Sequence, residues 1–128
     1  MGFKMIKCGG DSVPLIHDYL AADNEAIALG EGLALTNGRL TKVAGTAVPE
    51  YISEAAVAAS AAPTVKIPVH KVRPEYIYEV ACTGQIASAG AKHTIHSDGA
   101  SVTTTTNDGV FEVTYTDGAA ASKVRGHF

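Results

Sequence analysis

The stretch Leu33-Ala34-Leu35-Thr36-Asn37-Gly38-Arg39-Leu40-Thr41-Lys42-Val43 decides the fold class of this chain. Leu33 and Leu35 share one face of the first half by the two-residue period of a strand. Asn-Gly is a favoured pair for a type I′ turn because both central residues need positive φ, and this turn matches the twist of paired strands. The stretch therefore predicts a tight β-hairpin.

Three further Asx-Gly pairs punctuate the chain, at Asp98-Gly99, Asp108-Gly109 and Asp117-Gly118. Residues that favour strands flank each of them, so the same turn chemistry is expected. A second hairpin is predicted around residues 97–99. Several short strands separated by turn signals are typical of all-β proteins, and we expect a small β-barrel or sandwich of antiparallel hairpins.

Alternation of apolar and polar residues marks two other strands. Segment 65–69 alternates in this way and contains Pro68. Proline has no N–H for the ladder, so Pro68 favours an edge or bulge position. Segment 76–82 is partly apolar on both faces, which predicts a central strand.

The chain divides into a short N-terminal part and a longer domain. Residues 1–25 are interpreted as an extended N-terminal arm and residues 26–128 as a single β domain. Within the arm, residues 17–22 are expected to form one helical turn. The alanine-rich segment 55–62 is expected to be a loop or a marginal helix, because alanine favours helix but anchors a core weakly.

Composition and charge narrow the class of partner. The chain has 128 residues, a formal net charge of −3 and 18% charged residues. It lacks the clustered Lys and Arg of a nucleic-acid-binding surface. It begins without the apolar segment of a signal peptide, and its longest uncharged stretch is too short to span a bilayer. We expect a soluble protein made in a cytoplasm, with neither a nucleic acid nor a membrane as partner.

Two cysteines, Cys8 and Cys82, are too few for a disulfide framework. Cys82 ends a strand-like run and is expected to behave as a small buried hydrophobe. Cys8 lies in a Gly-rich stretch and is expected to be exposed. A Cys8–Cys82 bridge stays open as an alternative.

The polar residues do not form a recognisable catalytic or cofactor motif. His93 and His96 point to opposite faces if the segment is a strand, which does not suit a metal pair. Glu75 and Glu79 would lie about 13 Å apart on a strand, too far for a pair of catalytic carboxylates. Gly30-Glu31-Gly32 lacks the third glycine of a dinucleotide loop. We expect no enzymatic activity, no metal and no cofactor.

Two longer segments carry a family resemblance. Segment 30–54 contains the Asn37-Gly38 hairpin with Leu40-Thr41-Lys42, and segment 67–80 contains Ile67-Pro68-Val69 and Pro74-Glu75-Tyr76-Ile77. Together with the closing segment 123–128, they resemble the small head-decoration, or capsid-cementing, proteins of tailed bacteriophages. The resemblance covers most of residues 26–128 and leaves out 1–25 and 55–62.

This resemblance implies a structural protein of the virion that is made in the cytoplasm of the bacterial host. Its partner would be the major capsid protein, on the outer surface of the capsid, and it would stabilise the expanded head. Such proteins often form homotrimers at local threefold points. No cofactor is implied.

The N-terminal arm is the first candidate for contact with the capsid or a neighbouring subunit, because an added strand supplies main-chain hydrogen bonds. The basic segment 66–73 is suited to ion pairs across a protein interface. Deleting residues 1–16 is expected to leave a folded β domain with weaker binding. The predicted contact residues are Phe3, Met5, Ile6, Val13, Leu15, Ile16, Lys71 and Arg73.

Two other functions fit parts of the pattern. A carbohydrate- or host-surface-binding β module of a phage fibre or spike would share the hairpins. A small hydrolase would need Cys8 or Cys82 as its nucleophile.

Overall fold

A computed structural model describes residues 2–7 and 14–128 of the protein. It confirms the all-β fold class. The chain forms one closed five-stranded barrel and one further five-stranded sheet. The strands are β1 (Lys4–Lys7), β2 (Ile16–Ala21), β3 (Gly32–Thr36), β4 (Arg39–Lys42), β5 (Tyr51–Ser53), β6 (Ile67–Lys71), β7 (Ile77–Ala81), β8 (Lys92–His93), β9 (Phe111–Thr116) and β10 (Lys123–His127).

The barrel has the strand order β2-β4-β3-β5-β6 and closes between β6 and β2. Its central hairpin, β3–β4, is the one predicted from the sequence. One pairing departs from the predicted antiparallel arrangement, because β2 runs parallel to β4 with Leu20 opposite Arg39. A parallel pair needs a long connection, and residues 22–38 supply it.

The Asn37-Gly38 turn has the predicted geometry, with φ of 51° at Asn37 and 76° at Gly38. Each other Asx-Gly pair has positive φ at only one residue, which is Gly99, Asp108 or Gly118. These three pairs therefore lie in loops and do not form type I′ turns. Around Gly99, pairing is limited to an isolated antiparallel bridge between Ile95 and Val102, so the second hairpin is only partly formed.

The second sheet has the order β1-β7-β10-β9-β8. β7 lies between β1 and β10, which confirms the predicted central strand. The register of β10 against β9 shifts between Arg125 and Gly126. Glycine is required there because a Cβ on Gly126 would collide with the backbone carbonyl of Glu112.

Two hydrophobic cores meet at β5. Tyr51 points into the barrel core with Leu33, Leu40 and Val69. Its neighbour Ile52 points the other way, into the core beneath the second sheet. Successive strand residues face opposite sides, so this one short strand joins both cores. The second core contains Phe3, Tyr76, Tyr78, Val80, Cys82, Ile86, Ile95, Val102, Phe111, Val113 and Val124.

The predicted helical turn over residues 17–22 is wrong. This segment is β2, which pairs with β6 on one side and β4 on the other. The rings of His17 and Tyr19 stack with centroids 6.2 Å apart, and Tyr19 packs against the barrel core. That two-residue spacing is the period of a strand.

Pro68 also differs from its prediction, since β6 has paired neighbours on both sides and a regular register. The carbonyl of Pro68 accepts a hydrogen bond from the N–H of Glu54, directly after the last residue of β5. An N–H at Pro68 would point to the same side as this carbonyl, toward β5, and β5 ends at Ser53. The proline therefore interrupts the hydrogen bonds between β5 and β6 only where β5 ends. The barrel can therefore hold a proline in an interior strand.

Segment 55–62 is a loop, in line with the first of its two predicted forms. Val57 within it makes an isolated antiparallel bridge to Ile27. None of the described segments, 2–7 and 14–128, is a helix with the length and apolar character to cross a membrane.

The described part of the N-terminal segment packs on its own chain. β1 pairs with β7, and β2 completes the barrel. The side chain of Phe3 is only 3% exposed and belongs to the second core. These two strands are therefore parts of the folded sheets.

Cys82 is buried, as predicted, and forms no disulfide with another described residue; its Sγ lies 2.9 Å from the carbonyl oxygens of Gly84 and Ser122. Cys8 lies outside the described residues. The predicted exposure of Cys8 therefore stays a prediction.

Candidate functional site

One end of the barrel carries a cluster of aromatic rings. At this end β2 begins, β6 ends and β5 begins, with Tyr51 opposite Lys71 and Ile16 opposite His70. His17 stacks on Tyr19, and Tyr19 meets Tyr51 edge-on at 5.5 Å between centroids. We call Leu15, His17, Tyr19 and Lys71 the mouth surface, and Tyr51, which is only 7% exposed, supports it from the barrel core.

The mouth surface joins a rigid base to an exposed apolar tip. Leu15 is 72% exposed, the largest exposed fraction among the bulky apolar side chains of the described residues. The hydroxyls of Tyr19 and Tyr51 lie 3.4 Å apart. This hydrogen bond and burial raise the pKa of Tyr51 to about 12, so the phenol is neutral under physiological conditions. Such a surface suits contact with another protein.

Two of the predicted contact residues, Leu15 and Lys71, lie together here. Leu15 directly precedes β2, and Lys71 ends the neighbouring strand β6. Ile16 begins β2 and is 50% exposed, but the two-residue period of the strand places its side chain on the opposite face from Leu15 and His17. Arg73 is exposed in the loop that follows β6.

The other predicted contact residues are placed differently. Phe3 is a core residue of its own chain, which corrects its predicted contact with the capsid or a neighbouring subunit: with 3% of the residue exposed, its side chain is occupied by the core. Met5 packs against the same core and is only partly exposed. Ile6, on β1, is 41% exposed. Val13 lies outside the described residues.

Sequence reasoning missed the roles of His17, Tyr19 and Tyr51. The sequence does contain the two-residue period of a strand here, because His17 and Tyr19 are two residues apart and Ala21 continues the same spacing. The prediction of a helical turn placed these residues in the wrong element and so did not bring their side chains to one face. Tyr19 and Tyr51 are 32 residues apart in the sequence, and their contact depends on how the strands pair, which local patterns do not specify.

Apart from the mouth surface, the structure contains a chain of hydrogen bonds that joins Glu54, His70 and Tyr78. Nδ1 of His70 lies 2.5 Å from Oε1 of Glu54, and its Nε2 lies 2.8 Å from the hydroxyl of Tyr78. His70 is 2% exposed and Tyr78 is fully buried. Burial raises the pKa of Tyr78 well above its ordinary value. Both imidazole nitrogens are occupied, so the chain acts as a polar tie between β6 of the barrel and β7 of the second sheet.

Replacing Tyr78 by phenylalanine tests this tie. The ring and its packing are kept, but one nitrogen of buried His70 loses its partner, so we expect a loss of about 1–3 kcal/mol of unfolding free energy. Urea denaturation measures it. Tyr115→Phe is the matched control, since Tyr115 is 55% exposed. Equal stability of the two variants would contradict a role for the tie.

Glu31 is a buried carboxyl group between the two sheets. Its side chain is 3% exposed, and among the described residues its Oε2 has no hydrogen-bond partner. Burial raises its pKa to about 7, against smaller opposing effects of the hydrogen bond that the N–H of Ala28 donates to Oε1 and of the charge on Lys42. Glu25 and Asp98 are the nearby acids that raise the pKa further. The backbone beside it joins β3 of the barrel to the loop between β8 and β9, since the N–H of Gly32 donates to the carbonyl of Gly99 at 2.8 Å.

A cavity of about 480 Å³ lies at the seam between the barrel and the second sheet. Phe3, Met5, Ile52 and Val80 form part of its apolar lining, and His70 borders it. The two nitrogens of His70 are already hydrogen-bonded. We assign no ligand to this cavity.

The two polar pairs singled out in the sequence, His93 with His96 and Glu75 with Glu79, do not form common sites. His93 is buried and its Nδ1 lies 3.0 Å from the carbonyl of Thr103, whereas His96 is exposed. Glu75 precedes β7 and is exposed, while Glu79 forms ion pairs with cations of β10. Within residues 2–7 and 14–128, no three His, Cys, Asp or Glu side chains are grouped as a metal would require.

The comparisons with known proteins identify no relative. The chain matches no protein family, no curated protein and no solved structure.

Proposed function

We propose that this protein is a structural virion protein that binds the outer surface of a tailed-phage capsid and stabilises the expanded head. The two segments that carry the resemblance to decoration proteins supply the centre of the fold. Segment 30–54 contains β3, β4 and β5, and segment 67–80 contains β6 and most of β7. The part of the sequence that motivates the proposal is therefore the part that holds both sheets together.

The mouth surface is the observation that carries the proposal. Leu15 presents an apolar side chain on a base fixed by the Tyr19–Tyr51 contact, and Lys71 adds a charge beside it. An exposed anchor on a rigid support loses little conformational freedom on binding, which favours affinity. The major capsid protein is the proposed partner.

A symmetric shell amplifies such a contact. We propose a homotrimer, which would offer three mouth surfaces to one local threefold point of the shell. Linked contacts raise the avidity by 10² or more over a single contact. Three contacts that are each weak can then together hold the protein on the capsid surface.

Leu15→Glu tests the mouth surface directly. Placing a charge on the apolar anchor is expected to weaken binding to undecorated, expanded heads of the encoding phage by at least about tenfold. Co-sedimentation with the heads measures it. Val65→Glu is the matched control, because Val65 is 67% exposed and precedes β6 at the end of that strand away from Lys71.

The control should bind within about twofold of the wild type. If both variants bind as tightly as the wild type, the mouth surface is not the contact. If the wild type ignores the heads but selects particular sugars on a glycan array, the host-surface-binding module replaces this proposal.

A further inference from the structure

The outer face of the second sheet is a mixed but mainly basic surface. Residues of β7 and β10 alternate, so Val80 and Val124 face the core while Glu79, Lys123 and Arg125 face outward. Strand register extends this row: Lys4 of β1 lies opposite Glu79, and Tyr115 of β9 lies opposite Arg125. A neighbouring row contains Lys92, Glu112 and His127. We call these eight residues the outer face.

Cations exceed acids on the outer face although the whole chain carries a net charge of −3. Its four permanent cations are Lys4, Lys92, Lys123 and Arg125, and its two carboxylates are Glu79 and Glu112. Lys123 and Arg125 are each 50% exposed. The excess of positive charge is therefore local and accessible.

Glu79 organises the centre of this face. Its carboxylate lies 3.8 Å from Nζ of Lys123 and 3.4 Å from Nε of Arg125, and it is itself only 23% exposed. Arg125 also lies over the ring of Tyr115, at 5.5 Å from the centroid. These contacts hold two cations and one aromatic ring in fixed positions, which reduces the ordering that binding requires.

We infer that the outer face is a second interaction surface, which binds a carboxylate-rich surface of another protein. Arginine and tyrosine are enriched among the residues that dominate protein interfaces. Arg125 engages Glu79 through Nε, so its terminal nitrogens can form a two-pronged contact with a partner's carboxylate. This inference goes beyond the proposed function and does not require that the partner be a capsid.

Nucleic acid fits this face less well. Glu79 and Glu112 lie among the cations and interrupt the positive charge, so a rigid duplex cannot keep its phosphates away from them, whereas a flexible acidic peptide can place its carboxylates around them. One face of the Tyr115 ring is covered by Arg125, which hinders base stacking. A protein surface with separate carboxylates avoids both problems.

The test compares two double variants that lose the same charges. Lys123→Gln with Arg125→Gln removes the two central cations, and Lys42→Gln with Lys66→Gln removes two lysines that are exposed outside the outer face and outside the predicted contact residues. Immobilised poly-L-glutamate at low ionic strength is the probe. Loss of the central cations is expected to weaken binding about tenfold. The second pair should change it by less than about twofold.

Three results would overturn the inference: equal weakening in both double variants, no binding of wild type to poly-L-glutamate, or binding to double-stranded DNA as tight as to poly-L-glutamate. Thermal unfolding checks that each variant keeps its fold. Binding to phage heads is measured separately. Cation-dependent binding to poly-L-glutamate without binding to heads would reject the proposed function and leave this inference intact.

Discussion

Replacing Phe3 by alanine is expected to lower the unfolding free energy by about 3–5 kcal/mol, the range for large-to-small changes in a core. The ring of Phe3 packs against Tyr78, Phe111 and Phe128, with centroids 6.2, 5.4 and 5.0 Å away. The adjoining cavity of about 480 Å³ would grow, because the strands around it are paired and cannot collapse. Urea denaturation followed by circular dichroism measures the loss.

Ile6→Ala is the control for this prediction. Ile6 lies on the same strand but is 41% exposed, so its truncation should cost no more than about 1 kcal/mol. Equal stability of Phe3→Ala and wild type would show that the segment is a detachable arm. The burial of Phe3 also revises the expectation for deletion of residues 1–16, which now includes a loss of stability as well as weaker binding.

Glu31 is expected to make the stability of the protein fall as pH rises from 5 to 8. Burial raises its pKa from the ordinary 4.5 to about 7 in the folded protein, so the folded state binds the proton more tightly. Stabilisation is fully present below pH 4.5 and is lost as the pH passes through 7. The loss attributable to this group between pH 5 and 8 is about 2–3 kcal/mol, from 1.36 kcal/mol per pKa unit.

Chemical denaturation of wild type and Glu31→Gln at each pH isolates the effect. The difference between the two unfolding free energies should change across this range, because glutamine does not titrate. Glu75→Gln, at an exposed carboxyl, should follow the wild-type curve. Parallel curves for wild type and Glu31→Gln would show that Glu31 is ionised throughout.

Local patterns in the sequence predicted much of the fold. Asn37-Gly38 specified its turn because a type I′ turn needs positive φ at both central residues. Segment 76–82 was predicted as a central strand because both of its faces are partly apolar, and β7 is flanked on both sides. In both cases the residues that carry the sequence pattern are the same residues that form the turn or the strand.

Pairings distant in the sequence were not predictable in this way. The parallel contact of β2 with β4 and the placement of Phe3 against Phe128 join segments that share no local signal. The same holds for the candidate site. Leu15 and Lys71 were identified one by one, but their common position at the barrel mouth depends on the β2–β6 register.

The central claim is that this protein covers the outside of a phage shell. Electron cryomicroscopy of undecorated, expanded heads of the proposed source phage, before and after incubation with purified protein, tests it most directly. We expect saturable, ordered density on the outer surface at symmetry-related positions, with the mouth surface of Leu15, His17, Tyr19 and Lys71 against the shell. Heads that stay bare at saturating protein concentration would contradict it.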